Sequence, residues 1–249
     1  MSGRRPPRLY VTPGLARARS LEAEPGQAHY LRSVLRLGAG APVAAFNEGD
    51  GEWLCRITQA DRNGVRLTVE RQLREPEREG DLWLLFAPIK RARLDWLVEK
   101  ATELGIAALL PVGTARTQVE RVNLARLRSH ALEAAEQSER LSVPEVRSPQ
   151  RLDRILAAWP CERRLIVCDE RGGAEPIGEA AARQPSGPAA LLIGPEGGFD
   201  ETELDALGKL SFVTHVGLGP RVLRAETAAL AAVAVFQAIA GDWQRTRMR

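Results

Sequence analysis

Two glycine-bearing loops, each placed between a short apolar run and a helix-like segment, constrain this chain most. The first is AALLIGPEGGF, residues 189–199, and the second is VGLGPRVLRAETAALAAV, residues 216–233. A continuous apolar run of this length reads as a strand buried on both faces, and a glycine-rich stretch behind it reads as a loop of bare backbone. Gly194, Gly197 and Gly198 carry no side chains, so backbone N–H and C=O groups can approach a flat ligand closely. In open α/β sheets ligands sit off the carboxyl ends of strands, so two such loops predict one small-molecule pocket. Neither loop matches GxxxxGK[ST] or GxGxxG, which argues against the simplest nucleotide-phosphate sites. Tight turns alone would explain either loop. The polar string Arg221, Arg224, Glu226 and Thr227 in the second argues for more.

From residue 81 onward strands and helices alternate, which predicts a mainly parallel α/β sheet flanked by helices. The predicted strands are 81–89, 106–112, 164–170, 189–194 and 212–219. The predicted helices are 93–105, closed by Gly105, then 122–140, 201–208 and 226–240. Asp200 and Glu203 form a capping-box-like start for the third. The last is apolar on nearly every face, as in a helix buried in a core or against a partner.

The first 74 residues differ. Strand-like runs at 41–46, 52–60 and 65–73 are separated by the turn signals NEGDG and DRNG, and the polar stretch 70–80 reads as a linker. This predicts a small β-barrel or sandwich over residues 1–74 and a second domain over 81–249. One helix, 26–38, is predicted within the barrel, with Tyr30, Leu31, Val34 and Leu35 on one side and Arg32 and Arg36 on another. Residues 1–74 hold 12 arginines and 7 acidic residues; the rest of the chain is slightly acidic, so the net +3 hides a basic front end. That asymmetry points to an anionic partner, most simply nucleic acid, or to a basic solvated surface. The RNA-contact candidates are Arg8, His29, Arg32, Arg36, Arg116 and Arg140; His29 also reads as a helix-start residue.

Cys55, Cys161 and Cys168 show neither metal spacing nor an even disulfide framework, and the three histidines are scattered, so no metal site is expected. The cysteine usage fits a reducing cytoplasm. The start MSGRRPPRLY lacks the apolar core of a signal peptide, and the longest apolar stretch, 228–236, is too short to span a bilayer.

Five segments in order carry a family resemblance: HYLRSVLR (29–36), KATELG (100–105), EAAEQSERLSVPEV (133–146), IGPEGGF (193–199) and LGPRVLRAETA (218–228). On these the chain resembles the bacterial 16S ribosomal RNA uridine N3-methyltransferases of the SPOUT superfamily. The resemblance implies a trefoil-knotted, mainly parallel sheet flanked by helices, despite the rarity of knots, preceded by a PUA-like β-barrel that binds RNA. It implies S-adenosylmethionine as cofactor, 16S rRNA or the small ribosomal subunit as partner, and methylation of N3 of a uridine, uridine 1498 in that family. It also implies a homodimer with its active site at the subunit interface. Ala225 stands where the family usually has Thr. Two alternatives remain: action on another RNA position, and a non-catalytic RNA-binding protein on this fold.

The expected cofactor contacts lie at three strand ends: Asp169 and Glu170 at one, Leu192, Ile193, Gly194, Glu196, Gly197 and Gly198 at the next, and Leu218, Gly219, Arg221, Val222, Leu223, Thr227 and Ala228 at the last and into the helix behind it. The cofactor brings its own electrophile, so the protein supplies binding, orientation and electrostatics. Uracil N3 must lose a proton, leaving charge on N3, O2 and O4, so the site wants a base or water path and cationic donors. Arg221 and Arg224 are the cationic candidates and Glu226 the carboxylate. Glu226 also suits helix capping or an interface, and Arg224 is placed to pair with it.

Overall fold

The computed structural model describes residues 5–118, 121–183 and 187–244. The chain divides into two compact units: residues up to Arg78 together with Ala135–Ser142, and Glu79–Ala134 together with the chain from Val143 onward. The boundary falls at the polar stretch after residue 74, but Ala135–Ser142 joins the first unit, which sequence order alone does not suggest.

In the first unit, β1 (Arg8–Tyr10), β2 (Ser20–Glu22), β3 (Pro42–Asn47), β4 (Gly51–Asp61) and β5 (Gly64–Arg74) form one sheet in the order β1-β3-β4-β5-β2. Only the β1–β3 pairing is parallel. The β4–β5 hairpin carries three register shifts, which raise local twist and wrap the ribbon around a small core of Leu21, Leu31, Val43, Ile57 and Leu67.

The predicted helix over 26–38 is corrected. A regular helix, α1, covers only Pro25–His29, opened by a Glu24/Gln27 capping box. It then widens into a π-turn over Tyr30–Val34, in which the Leu35 N–H donates to the Tyr30 carbonyl at 2.9 Å. The wider turn breaks the 3.6-residue period. Leu31 is fully buried, whereas Tyr30 and Val34, expected on the same face, are exposed. Arg36 ends the turn in the left-handed region, with φ 54°.

The second unit holds β6 (Leu82–Phe86), α2 (Arg91–Glu103), β7 (Ala108–Gly113), α3 (Leu124–Gln137, its last residues counted with the first unit), β8 (Glu145–Val146), β9 (Gln150–Arg151), α4 (Leu152–Ala157), β10 (Arg164–Cys168), β11 (Glu175–Pro176), α5 (Ile177–Ala182), β12 (Ala189–Ile193), α6 (Glu201–Gly208), β13 (Val213–Gly217) and α7 (Ala225–Ile239). The sheet order is β11-β13-β10-β12-β6-β7-β8, with β9 also paired to β7, and every pairing is parallel. The short α4 and α5 and the two-residue strands were not predicted; none is long enough to show a period.

Alternation within each strand separates two cores. Leu82, Leu84 and Phe86 of β6 pack with residues of α2, α5 and α7, while Leu85 faces Leu152 of α4 and Leu204 and Leu207 of α6. The continuous apolar runs are therefore strands covered on both faces. The expected capping box of α6 is present, with Asp200 accepting from the Thr202 N–H and the Glu203 carboxylate from the Asp200 N–H. Gly105, with φ 92°, follows α2, and the buried Gln237 of α7 donates to the carbonyls of Leu104 and Gly105. Among the described residues no helix is long and apolar enough to cross a membrane.

Candidate active site

β10, β12 and β13 follow one another within residues 164–217, and β10 lies between the other two in the sheet. Their carboxyl ends open onto one cavity of about 400 Å³. Its walls are the loops after these three strands, closed by Ala225 and Ala228 of α7. Of the expected cofactor contacts, the cavity brings together Asp169, Glu170, Ile193, Gly194, Glu196, Gly198, Leu218, Gly219, Arg221, Val222, Leu223 and Ala228.

Three lie elsewhere. Leu192 is fully buried in the core on the α4–α6 side, because successive strand residues point to opposite faces. Thr227 sits one helical step from Ala228 and is exposed, outside the lining. Gly197 lies beside Arg116 rather than in the cavity wall. Sequence reasoning missed Gly172, Gly173 and Ala174. Their signal was the glycine pair directly behind an apolar run; both glycines adopt φ near 80°, at 81° and 80°.

The cavity combines apolar walls with carboxylates. Ile193, Leu218 and Leu223 supply the former, and the exposed Glu170 and Glu196 supply negative charge. Gly198 has φ 69°, and a Cβ there would fall 1.8 Å from Glu170 Oε1, so the Glu170 side chain lies in the space that glycine leaves. Asp169 is nearly buried and is gripped by both Arg171 Nε and Nη2, with His215 Nδ1 at 3.3 Å. Burial alone pushes its carboxyl up, but Arg171 and His215 outweigh that and hold it below the usual aspartate value. Burial also pushes the Cys168 thiol up to about 12, making it a neutral wall and no nucleophile.

Of the three expected catalytic groups, only Arg221 lines the cavity. Arg224 is the exposed residue before α7 and makes no side-chain cap. Glu226, in the first turn of α7, is buried; its Oε1 lies 3.4 Å from Arg93 Nε and its Oε2 is buried without a hydrogen-bond partner among the described residues. The partner in its ion pair is thus Arg93, at the start of α2, rather than Arg224.

The arginines proposed for RNA divide by environment. Arg8 is corrected to a structural residue. Its guanidinium is buried, pairs with Glu52 at 2.5 Å, donates to the carbonyls of Ala135, Glu136 and Arg140, and stacks on Phe46. It satisfies carbonyls that the end of α3 leaves open. Arg140 is likewise buried, with Nη2 donating to Ser142 Oγ at 3.0 Å, and is corrected in the same sense. His29, Arg32 and Arg36 are exposed; Arg32 donates to the Asp61 carbonyl. Arg116 is exposed but donates to the Gly197 carbonyl and pairs with Asp200.

Residues 76–237 match the model of an RNA methyltransferase domain, and residues 24–70 match an RNA methyltransferase PUA domain. The chain belongs to the RNA methyltransferase family. Family members with similar sequences include the ribosomal RNA small subunit methyltransferase E of Rickettsia conorii, 32% identical over 91% of this chain and 93% of that protein. The protein of the same name from Bacillus subtilis is 29% identical over 84% and 86%. The solved structure of ribosomal RNA small subunit methyltransferase E from Neisseria gonorrhoeae bound to S-adenosyl methionine superposes with a TM-score of 0.86 and 29% identity, covering 96% of this chain and all of that one (100%). A Legionella pneumophila methyltransferase with bound cofactor gives a TM-score of 0.83 at 30% identity, over 94% and 98%. These neighbours are SPOUT methyltransferases, and the first unit is the PUA-like domain of that architecture.

Proposed function

We propose that this RNA methyltransferase uses S-adenosylmethionine to methylate N3 of a uridine in small-subunit ribosomal RNA. The observation that carries the reading is the cavity at the ends of β10, β12 and β13, formed by bare backbone, apolar side chains and the carboxylates of Glu170 and Glu196. A ligand with a flat base and two cationic centres, a sulfonium and an ammonium, fits that donor set. The relatives' names and the two cofactor-bound neighbours support the same assignment.

When bound, the cofactor supplies a methyl group already activated by its sulfonium. The chain's own residues do the rest. Backbone at Gly194, Gly198 and Gly219 permits close approach, and Ile193, Leu218 and Leu223 exclude water from around the ligand. Arg221, exposed in the wall, is placed to meet negative charge on uracil O2 or O4 as N3 loses its proton. Glu226 is assigned to holding Arg93 and the first turn of α7, so the N3 proton leaves by another route, water included.

The exposed first-unit residues His29, Arg32 and Arg36 are assigned to RNA. The acting form is a homodimer, in which the half-buried Leu230, Ala234 and Val235 of α7 and the fully projecting Val222 are covered by the second copy. Purified protein incubated with cofactor and either assembled small subunits or free 16S rRNA, followed by nucleoside mass spectrometry, tests the reading. 3-Methyluridine at one site is expected. Methyl groups on another atom or RNA overturn the N3 assignment, and no cofactor binding overturns the whole.

A further inference from the structure

We propose that a second cavity in the methyltransferase unit holds one unpaired nucleotide of the RNA substrate, its base against the Arg147–Trp83 stack and its phosphate at Arg154. The proposal rests on the reading of the chain as an RNA methyltransferase. This cavity, about 220 Å³, lies on the α4 side of the sheet and shares no wall residue with the cofactor cavity.

Its back wall is preformed. The Trp83 ring carries Arg163 at 3.6 Å and Arg147 at 4.0 Å from its centroid. Arg163 is buried and fixed by the carbonyls of Asp81 and Ala189 and the Asp81 carboxylate, so it belongs to the framework. Trp159 packs edge-on against Trp83, stacks on Phe212 and donates its indole N–H to the Arg163 carbonyl. The aromatic wall is thereby locked in one arrangement. Arg147 is half-buried, lines the cavity, and has its Nε and Nη2 edge paired with Glu145. Held at that edge and over the indole ring, it forms a planar cationic platform of the kind on which unstacked RNA bases rest.

The mouth is lined by exposed polar side chains. The guanidinium of Arg154 in α4 makes no hydrogen bond or ion pair among the described residues, and the same holds for Ser148 Oγ and the Gln150 side-chain amide. The carboxylate of the preceding residue, Asp153, is paired with Arg151 and reaches the Arg154 guanidinium only through its field. An exposed guanidinium with no direct partner, beside an aromatic and guanidinium platform, matches a phosphate joined to a base better than an apolar ligand.

Full-length wild type, Arg154→Glu and Arg154→Lys are titrated with labelled oligouridine at several salt concentrations, with uridine 5′-monophosphate under tryptophan emission, and with S-adenosylmethionine in a calorimeter. The proposal expects Arg154→Glu to weaken oligouridine binding about tenfold and to flatten its salt slope by roughly one counterion. Arg154→Lys keeps most of the affinity, and cofactor affinity is the same in all three. Oligouridine affinity and slope unchanged by Arg154→Glu, while wild type binds, overturn this site alone. Uridine monophosphate quenching lost in Arg154→Glu with oligouridine binding intact assigns the cavity to free nucleotides and overturns the RNA contact. Wild type that binds no oligouridine overturns this site, and wild type that binds neither oligouridine nor 16S rRNA overturns the functional reading along with it.

Discussion

Arg116 Nη1 donates to the Gly197 carbonyl at 2.9 Å while its Nη2 lies 3.4 Å from Asp200. One exposed side chain thus holds both the glycine loop after β12 and the residue that caps α6. The neighbouring Ala115 N–H adds a third tie, to Glu203 Oε1 at 2.7 Å. Gly197 does not line the cofactor cavity, but its neighbours Glu196 and Gly198 do. Arg116 therefore acts on the cavity through the loop, as a positioning residue. Arg116→Ala should weaken cofactor affinity by about fivefold, roughly 1 kcal/mol for an exposed charge-assisted contact, with a smaller effect on kcat. Arg116→Lys should recover little, because an ammonium lacks the fork that reaches both acceptors. Calorimetry showing wild-type cofactor affinity in Arg116→Ala would leave the contact without a role in the site.

The two glycines of that loop differ in what they require. Gly198 is left-handed and its missing Cβ is where Glu170 lies; Gly197 has no left-handed backbone, and a Cβ there would meet only Arg116 carbons at 3.8 Å. Gly198→Ala should lower Tm and reduce cofactor affinity tenfold or more, combining roughly 1 kcal/mol of backbone strain with displacement of Glu170. Gly197→Ala should stay within about twofold of wild type, as expected for ordinary van der Waals contact. Equal losses in the two variants, measured by calorimetry and thermal melting, would place the constraint elsewhere.

Much of this was legible in the sequence because the signals are local. The apolar runs at 189–193 and 213–217 mark strands, Gly194 and Gly198 mark the loop, and Asp200 with Glu203 marks a helix start. What was not legible depends on strand order and on long-range contacts. Nothing near Arg8 in sequence announces that its guanidinium meets carbonyls 127, 128 and 132 residues away. In sequence Glu226 suits capping or an interface as well as proton transfer, and only Arg93, from a different helix, sets it in an ion pair. Leu192 was assigned to the ligand with its neighbours, but a period of two sends it to the other face. The π-turn at Tyr30–Val34 defeated the helical spacing by adding a residue to the turn.

The Asp169–Arg171 pair sets a pH dependence of stability. Its carboxyl is held below the ordinary value of 3.8 by Arg171 and His215, despite burial acting the other way. A depressed carboxyl binds fewer protons folded than unfolded, so its stabilisation is fully present above 3.8 and is lost as pH falls below it. The Tm difference between wild type and Arg171→Ala should therefore be constant from pH 5 upward and shrink as the pH falls below 3.8. A difference that instead grows on acidification would reverse the assigned sign.

Salt dependence separates the structural arginine from the surface ones in the PUA-like unit. Removing Arg32 and Arg36 together should reduce the slope of RNA affinity against salt by about two counterions, with Tm and cofactor affinity nearly unchanged. Arg8→Ala should behave in the opposite way. It removes the closer of the two guanidinium partners of Glu52, leaving Arg74 at 4.0 Å, and frees several carbonyls, so a loss of stability dominates, on the order of 2 kcal/mol and read as a drop in Tm. An unchanged slope in the double variant would reduce Arg32 and Arg36 to ordinary surface residues.

The proposed dimer is tested on α7, and the position chosen decides what the test means. Val233 lies at the centre of the helix but is 0% exposed, packed in the chain's own core beside Ala229 and Phe236. Val233→Asp would bury an unpaired carboxylate and unfold the unit whatever its oligomeric state. Ala234, one step around the helix, is only half-buried, as are Leu230 and Val235. Ala234→Glu places its charge at the edge of this apolar face, where a monomer can solvate it and a packed two-fold interface cannot. Light scattering should then find a folded monomer, with far-ultraviolet circular dichroism as in wild type and methylation lost alongside the dimer. A variant that remains dimeric moves the interface off this face of α7, and a fully active monomer removes the need for a second copy in the reaction.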